Sequence, residues 1–287
     1  MKNFKIKSYC KINLSLKIIK KLKNGYHSIS SLITFCDLHD VISISKIKKP
    51  KDKITFSGKF CNDINQKSNT ITAVLKILRE KKLIKNQSFK INVKKNIPHG
   101  SGLGGASSNA SYLLNYLNNK MGFKLKKKEM IALAKKIGSD VPICLEKKNT
   151  FLTGKKDKML RINNKFNLNL LIVYPNIICS TGKIYRRNRI KNSARNEYYY
   201  NTKNSSKLMQ SLKNEKNDLE KIVIKIYPKI GKIINYIKSQ KGCVFSRITG
   251  SGSACIGIFS NRPNTISAKK SIRSKYPKYW CAVSKTI

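Results

Sequence analysis

The chain has 287 residues, 40% hydrophobic and 8% aromatic, enough for a sizeable core and for two domains at roughly 150 residues each. Its 61 Lys+Arg stand against 13 Asp+Glu, a formal net charge of +48, which favours anionic substrates. No run of about 18 apolar residues occurs, which excludes a membrane span, and eight singly placed cysteines without a Cys-x-x-Cys pair exclude a zinc ribbon or a disulfide framework.

In chain order, residues 1–5 are basic but lead straight into an alternating pattern, so no secretory signal is expected. Over residues 4–18 the apolar side chains fall mostly on even positions, the period of a strand with one buried face. Lys11 and Asn13 share its other face, toward solvent or a ligand. Asn24-Gly25 marks a turn. Short strands are expected around 41–45 and 54–57, then a helix over 70–81 with Ala73, Val74, Ile77 and Leu78 on one stripe. Phe89, Ile91 and Val93 alternate as a further strand. After a glycine-rich loop, Ala110, Leu113, Leu114 and Leu117 recur at helical spacing. A helix over 128–137 ends at Gly138, a candidate left-handed cap. A buried strand is expected at 170–174. Residues 183–206, rich in Arg, Asn, Lys and Tyr, read as a long surface loop. A helical stretch over 219–239 follows. The boundary between domains is placed after residue 153, giving 1–153 and 154–287.

The basic residues are spread along the whole chain beside abundant Asn and Ile. That is the pattern of a compositional bias toward AT-rich codons, so nucleic acid is not the expected partner. The competing reading is a basic RNA-binding protein, resting on the tyrosines interleaved in residues 186–200. Unpaired cysteines suit reduced, partly buried side chains and a cytoplasmic protein.

The strongest motif is Pro98-His99-Gly100-Ser101-Gly102-Leu103-Gly104-Gly105-Ala106-Ser107-Ser108, set between a strand and a helix. Four glycines in six positions permit unusual dihedrals and let main-chain N–H groups approach phosphates. The helix that follows aims its unpaired N–H groups and its positive dipole end at the same point. No Gly-Lys-Ser/Thr closes the loop, so it is not a Walker loop. Phosphoryl transfer to an alcohol also needs a proton acceptor and a cation. Asp140 and Lys11 are the candidates, with Asn13 to orient substrate hydroxyls. Taken alone, Asp140 reads equally as a helix cap and Lys11 as a surface lysine.

Three ordered segments resemble the GHMP kinases, named for galactokinase, homoserine, mevalonate and phosphomevalonate kinases. They are Lys11-Ile12-Asn13-Leu14, the loop over 98–108, and Thr249-Gly250-Ser251-Gly252-Ser253-Ala254-Cys255. The resemblance covers nearly the whole chain. It implies an α/β (α+β) architecture of two domains, a ribosomal-protein S5-like N-terminal domain and a ferredoxin-like C-terminal one. It implies ATP as co-substrate, magnesium with Ser108 as its candidate ligand, and a phosphate-facing loop at Gly250, Ser251 and Gly252. Asn69 and Lys95 fall where that family contacts adenine and ribose. Asn24-Gly25-Tyr26-His27 is similar to a segment with which one branch of the family, in isoprenoid precursor synthesis, holds a cytidine. Tyr26 would then stack on the base, His27 would read its edge, and Tyr185 would add a second aromatic face. The implied partner is a small molecule bearing a cytidine diphosphate group, bound by a monomer or weak homodimer. A homoserine or mevalonate type kinase is the alternative. Tyr9-Cys10 before the lysine, and His99 and Ser101 inside the loop, depart from the family pattern.

Overall fold

The computed structural model describes residues 3–22, 25–62, 64–154, 158–188, 200 and 204–287. Asn24 of the expected turn and most of the basic segment, 189–199 and 201–203, lie outside the described residues. The chain packs as two compact units. The first comprises Met1–Lys11, Leu38–His99 and Gly104–Lys147; the second comprises Ile12–Asp37, Gly100–Leu103 and Lys148–Ile287. The expected cut after residue 153 is a cut in sequence order. Packing divides the chain otherwise, because segments 12–37 and 100–103 go with the later residues.

The elements begin with strands β1 (Phe4–Asn13), β2 (Lys17–Lys21), β3 (His27–Ile47) and β4 (Lys53–Ser57). Helix α1 (Thr70–Glu80), strand β5 (Ser88–Lys94) and helices α2 (Gly105–Lys120), α3 (Lys127–Ile137) and α4 (Val141–Cys144) follow. Then come β6 (Asn149–Thr153), β7 (Lys158–Ile162), β8 (Asn169–Tyr174) and α5 (Thr181–Arg186). The chain ends with α6 (Ser205–Asn214), α7 (Glu220–Ile226), α8 (Pro228–Lys238), β9 (Cys243–Ile248), β10 (Cys255–Phe259), α9 (Arg262–Lys275) and β11 (Trp280–Lys285).

In the first unit, residues 41–47 of β3 pair antiparallel with β5, and β4 pairs parallel with β5. Helices α1, α2 and α3 cover this sheet, burying Val74, Leu78, Ile91, Val93, Leu113, Leu117 and Leu133 in one core. Each such side chain contributes about 1.5–3 kcal/mol by leaving water. Asn69 caps α1 reciprocally with Thr72, as helix starts require.

In the second unit, residues 31–33 of β3 pair with β6, which pairs in turn with β7. A separate antiparallel sheet runs β11-β8-β10-β9. A strand, helices, two strands, a helix and a strand in that spatial order are the ferredoxin-like arrangement. Leu171, Val173, Ile233, Ile237, Cys255 and Ile272 form its core.

Four local expectations are corrected. The alternation over 4–18 breaks into two strands, because Leu16 leaves to bridge Asn217. The stretch over 219–239 is two helices: Tyr227 stands at φ −129° and ψ 78° because Pro228 forbids it the helical region. Gly138 has φ 173° and ψ 156°, so it is extended rather than left-handed. Residues 183–186 of the expected loop are helical, as the end of α5.

Candidate active site

The first unit brings Lys11 and Asp140 together. Lys11 Nζ lies 2.9 Å from Asp140 Oδ2, with the lysine side chain 4% and the aspartate 37% exposed. Lys11 is therefore not a surface lysine. Nor does the Asp140 side chain cap α4, since it makes no capping hydrogen bond there. The position of Asp140 is set by α2, where Ser111 Oγ donates to the Val141 carbonyl at 3.3 Å and Asn115 Nδ2 donates to the Leu145 carbonyl at 2.8 Å. A partly wet carboxylate beside a buried ammonium is a suitable acceptor for an alcohol proton.

Helix α2 starts against this pair. Its N-cap, Gly104, is left-handed at φ 65° and offers no side chain to the first N–H groups of the helix. A Cβ at Gly104 would lie 2.9 Å from Lys11 Cε and 3.1 Å from Lys11 Cβ, so only glycine lets the helix start seat on the lysine stem. Gly105 is equally close to Ile97. Ala106 is exposed and its carbonyl accepts from Thr70 Oγ1 at 3.0 Å. Ser107 accepts from Ser111 Oγ through its carbonyl at 2.7 Å. Pro98 is buried and His99 exposed.

Three expected residues have other tasks. Asn69 accepts from the Ile71 and Thr72 N–H groups and donates to the Asn65 and Gln66 carbonyls, so its carboxamide is committed to the cap. Lys95 is 3% exposed and pairs with Asp40, so its ammonium is not presented to a base or ribose. Ser108 is fully buried and its hydroxyl meets Cys144 Sγ at 3.5 Å, which does not fit a metal ligand. No group of three His, Cys, Asp or Glu able to hold a metal occurs among the described residues.

In the second unit, residues 100–103 pack on the loop over 249–253. Ala254 N donates to the Ser101 carbonyl at 3.0 Å, and Cys179 N donates to the Gly100 carbonyl at 3.0 Å. Leu103 is fully buried and anchors the turn. A Cβ at Gly102 would meet the Thr249 carbonyl oxygen at 2.2 Å, and one at Gly250 would meet the Gly102 carbonyl at 2.9 Å. The two glycine loops thus touch backbone to backbone. Asn13 is tied to the second loop and to β3: its N–H donates to Thr249 Oγ1 at 2.9 Å and its Nδ2 to Ser31 Oγ at 2.8 Å. It is buried, not solvent-facing. Ser251 Oγ pairs with Thr181 Oγ1 at 2.9 Å, and Gly252 N donates to the Thr249 carbonyl at 3.0 Å.

The same unit gathers the aromatic residues. The His27 and Tyr185 rings lie 5.3 Å apart at 37°. Tyr26, 65% exposed, follows a turn in which Leu22 N donates to the Tyr26 carbonyl at 2.7 Å. Burial first, and then the charge of Lys21, hold His27 below the usual histidine value. The imidazole is therefore neutral at pH 7, with one donor and one acceptor nitrogen.

Sequence reasoning missed Asp40, Ser31 and Ser111. Asp40 carried a signal: it is one of few acids in the chain and lies in a strand-forming run before Val41-Ile42.

A family described as GHMP kinases N terminal domain matches residues 69–148, and GHMP kinases C terminal matches 201–278. A 4-diphosphocytidyl-2-C-methyl-D-erythritol kinase of Pelagibacter ubique is 38% identical over 289 positions, covering all of both chains. The enzyme of the same name from Wolbachia pipientis wMel is 30% identical, again covering both chains fully. Among solved structures, a 4-(cytidine 5'-diphospho)-2C-methyl-D-erythritol kinase aligns with TM-score 0.78 at 20% identity, covering 98% of this chain and 99% of that one. Homoserine kinase from Cytophaga hutchinsonii aligns with TM-score 0.73 at 14% identity, covering 100% and 95%.

Proposed function

Because the chain belongs to the GHMP kinase family, we propose that it transfers the γ-phosphoryl group of ATP to the 2-hydroxyl of 4-diphosphocytidyl-2-C-methyl-D-erythritol, a step of the non-mevalonate route to isoprenoid precursors. The observation that carries this reading is the Lys11–Asp140 pair set against the left-handed start of α2. Full-length identity to enzymes of that name supports the substrate over mevalonate or homoserine.

The substrate oxygen attacks the γ-phosphorus while Asp140 takes its proton. The bond from the γ-phosphorus to the β-bridging oxygen breaks, and ADP leaves. Lys11 offsets negative charge on the phosphoryl group in flight. The N–H groups at the start of α2 hold the ATP phosphates, and Gly250, Ser251 and Gly252 form the phosphate-facing loop that the family pattern implies. Asn13, fixed by Ser31 and Thr249, orients the substrate hydroxyls. Magnesium bound with the nucleotide would supply positive charge to offset the negative charge of the phosphates. The described residues contain no helix able to cross a membrane. The reading includes a cytoplasmic monomer or weak homodimer with reduced cysteines, none of the eight being in a disulfide.

The test is a phosphorylation assay with ATP and a panel of 4-diphosphocytidyl-2-C-methyl-D-erythritol, mevalonate and homoserine. Turnover of the cytidyl compound alone is expected. Preference for either other alcohol would leave a GHMP kinase with a different substrate. The RNA-binding reading rested on residues 186–200, most of which lie outside the described residues, and full-length identity to kinases supports the enzyme instead.

Tyr26 and His27 separate this substrate from the others. His27→Ala should raise the substrate KM and leave ATP affinity intact, since one neutral hydrogen bond contributes about 0.5–1.5 kcal/mol. Tyr26→Ala should remove a stacking contact of about 1–3 kcal/mol, whereas Tyr26→Phe keeps the ring face and should be mild. Normal substrate binding by both alanine variants would place the cytidine elsewhere.

The pH dependence has a definite sign. His27 is depressed, so it gains its proton only in acid, below the ordinary histidine range. The substrate KM should stay level through neutral pH and rise on the acid side, and this rise should vanish in His27→Ala. A rise centred at or above the ordinary histidine range would contradict the assignment.

A further inference from the structure

The glycine loop has a structural difficulty. Buried Leu103 and the hydrogen-bonded Gly100 and Ser101 carbonyls anchor the middle of the loop, which leaves its two ends to be fixed. One residue reaches both ends. Asp40, in β3, is fully buried, and four groups converge on its carboxylate. Lys95 Nζ pairs with Oδ2. Asn96 N donates to Oδ1 at 2.7 Å and Ile97 N donates to it at 2.9 Å. Asn109 Nδ2 donates to Oδ2 at 3.0 Å. The first three groups lie where the chain leaves β5, just before Pro98. The fourth lies in the second turn of α2, just past the loop.

We infer that Asp40 is the positioning residue of the phosphate loop, a carboxylate staple that fixes both of its ends at once. The loop then has only residues 98–104 with which to span two anchored points, and its N–H groups are set before ATP arrives. Three further observations support this. A Cβ at Gly105 would lie 3.0 Å from Ile97 Cγ2 and 3.4 Å from Lys95 Nζ, so the start of α2 seats directly on the stapled residues. Asn109 Oδ1 is buried without a hydrogen-bond partner among the described residues, so that carboxamide is held through Asp40. Asn96 Nδ2 also donates to the His39 carbonyl at 2.9 Å, tying the loop entry to the residue beside Asp40. An apolar pair fills buried space as well as an ion pair does. Only a group with several lone pairs can accept from two chain segments together.

The inference rests on the proposed role of the glycine loop in holding ATP, and the test separates the two. Asp40→Asn leaves the Lys95 ammonium buried and unpaired, so it is studied beside Asp40→Asn/Lys95→Met, which removes that charge. Both are assayed for ATP and substrate KM, kcat, melting temperature and amide exchange at 96, 97 and 105–112. In the folded double variant the KM for ATP should rise about ten- to a hundredfold, the worth of a hydrogen bond to a charged group. The substrate KM should hold, and the named amides should exchange faster while those of β8 do not. Asn109→Ala should give the same pattern in weaker form, confined to α2. Wild-type exchange together with a wild-type KM for ATP in the folded double variant would overturn the inference. Faster exchange with unchanged ATP affinity would uphold the staple and count against phosphate binding by the loop.

Discussion

Asp140→Asn should lower kcat about 10²–10⁴-fold, the usual contribution of a positioned general base, while both KM values change little. The replacement preserves shape, and its amide oxygen still accepts from Lys11 Nζ, now 2.9 Å from Oδ2. What is lost is the ability to take a proton from the attacking hydroxyl. The carboxylate is 37% exposed but the Lys11 side chain only 4%, so the change leaves a buried ammonium without its counter-charge, and the melting temperature should fall as well. The discriminating measurement is single-turnover phosphoryl transfer at saturating ATP and substrate. A folded variant with near-normal turnover would show that the proton leaves by another route. Lys11→Met is a useful companion, since loss of the cation should reduce kcat without removing the proton acceptor.

Gly102→Ala should be the most damaging small substitution in the two glycine loops. Gly102 sits at φ 80°, and its Cβ would come within 2.2 Å of the Thr249 carbonyl oxygen and 3.1 Å of Gly252 N. Both obstacles are backbone, so no side-chain rotation relieves them. The left-handed conformation costs a non-glycine residue about 1–2 kcal/mol, and forced overpacking adds about 1–3 kcal/mol. The loops must move apart, taking with them Asn13, whose N–H is bonded to Thr249. A fall in kcat/KM of about 10²-fold or more is expected, at 1.4 kcal/mol per tenfold, together with a lower melting temperature. Gly182→Ala is the control. Nothing lies within 4 Å of its Cβ and its φ is not positive, so unchanged kinetics are expected. Equal behaviour of the two variants would show that close approach of the loops is irrelevant to function.

The site residues divide by how local their signal is. Lys11 and the glycines stand in short motifs, and Asp140 is one of few acids in the chain. Asn69 and Lys95 stand in no such motif, and each is drawn into local structure: Asn69 into a helix cap and Lys95 into a buried ion pair. The long strand β3 was legible only near residues 41–45. Its middle is buried on both faces and carries Ser30, Ser31 and Thr34 inside, so the alternation that marks a strand disappears. The elements β9, β10, α9 and β11 were not read as such either. In β10 every residue is buried, which leaves no polar face to mark a period.

The sequence by itself pointed to phosphate binding through the glycine loop, and its three ordered segments, by their resemblance to GHMP kinases, implied the reaction class and the two-domain α/β architecture. Only the tertiary structure showed which charged pair is open to a ligand and which is buried. Lys11 and Lys95 are both buried lysines paired with an aspartate, and no local pattern distinguishes them. The difference lies in the partners: Asp140 is partly exposed and open to a reacting group, whereas Asp40 is fully buried among four donors. Burial and hydrogen-bond saturation arise from residues far apart in sequence, as Asn109 and Asp40 are, and they appear only once the chain has folded.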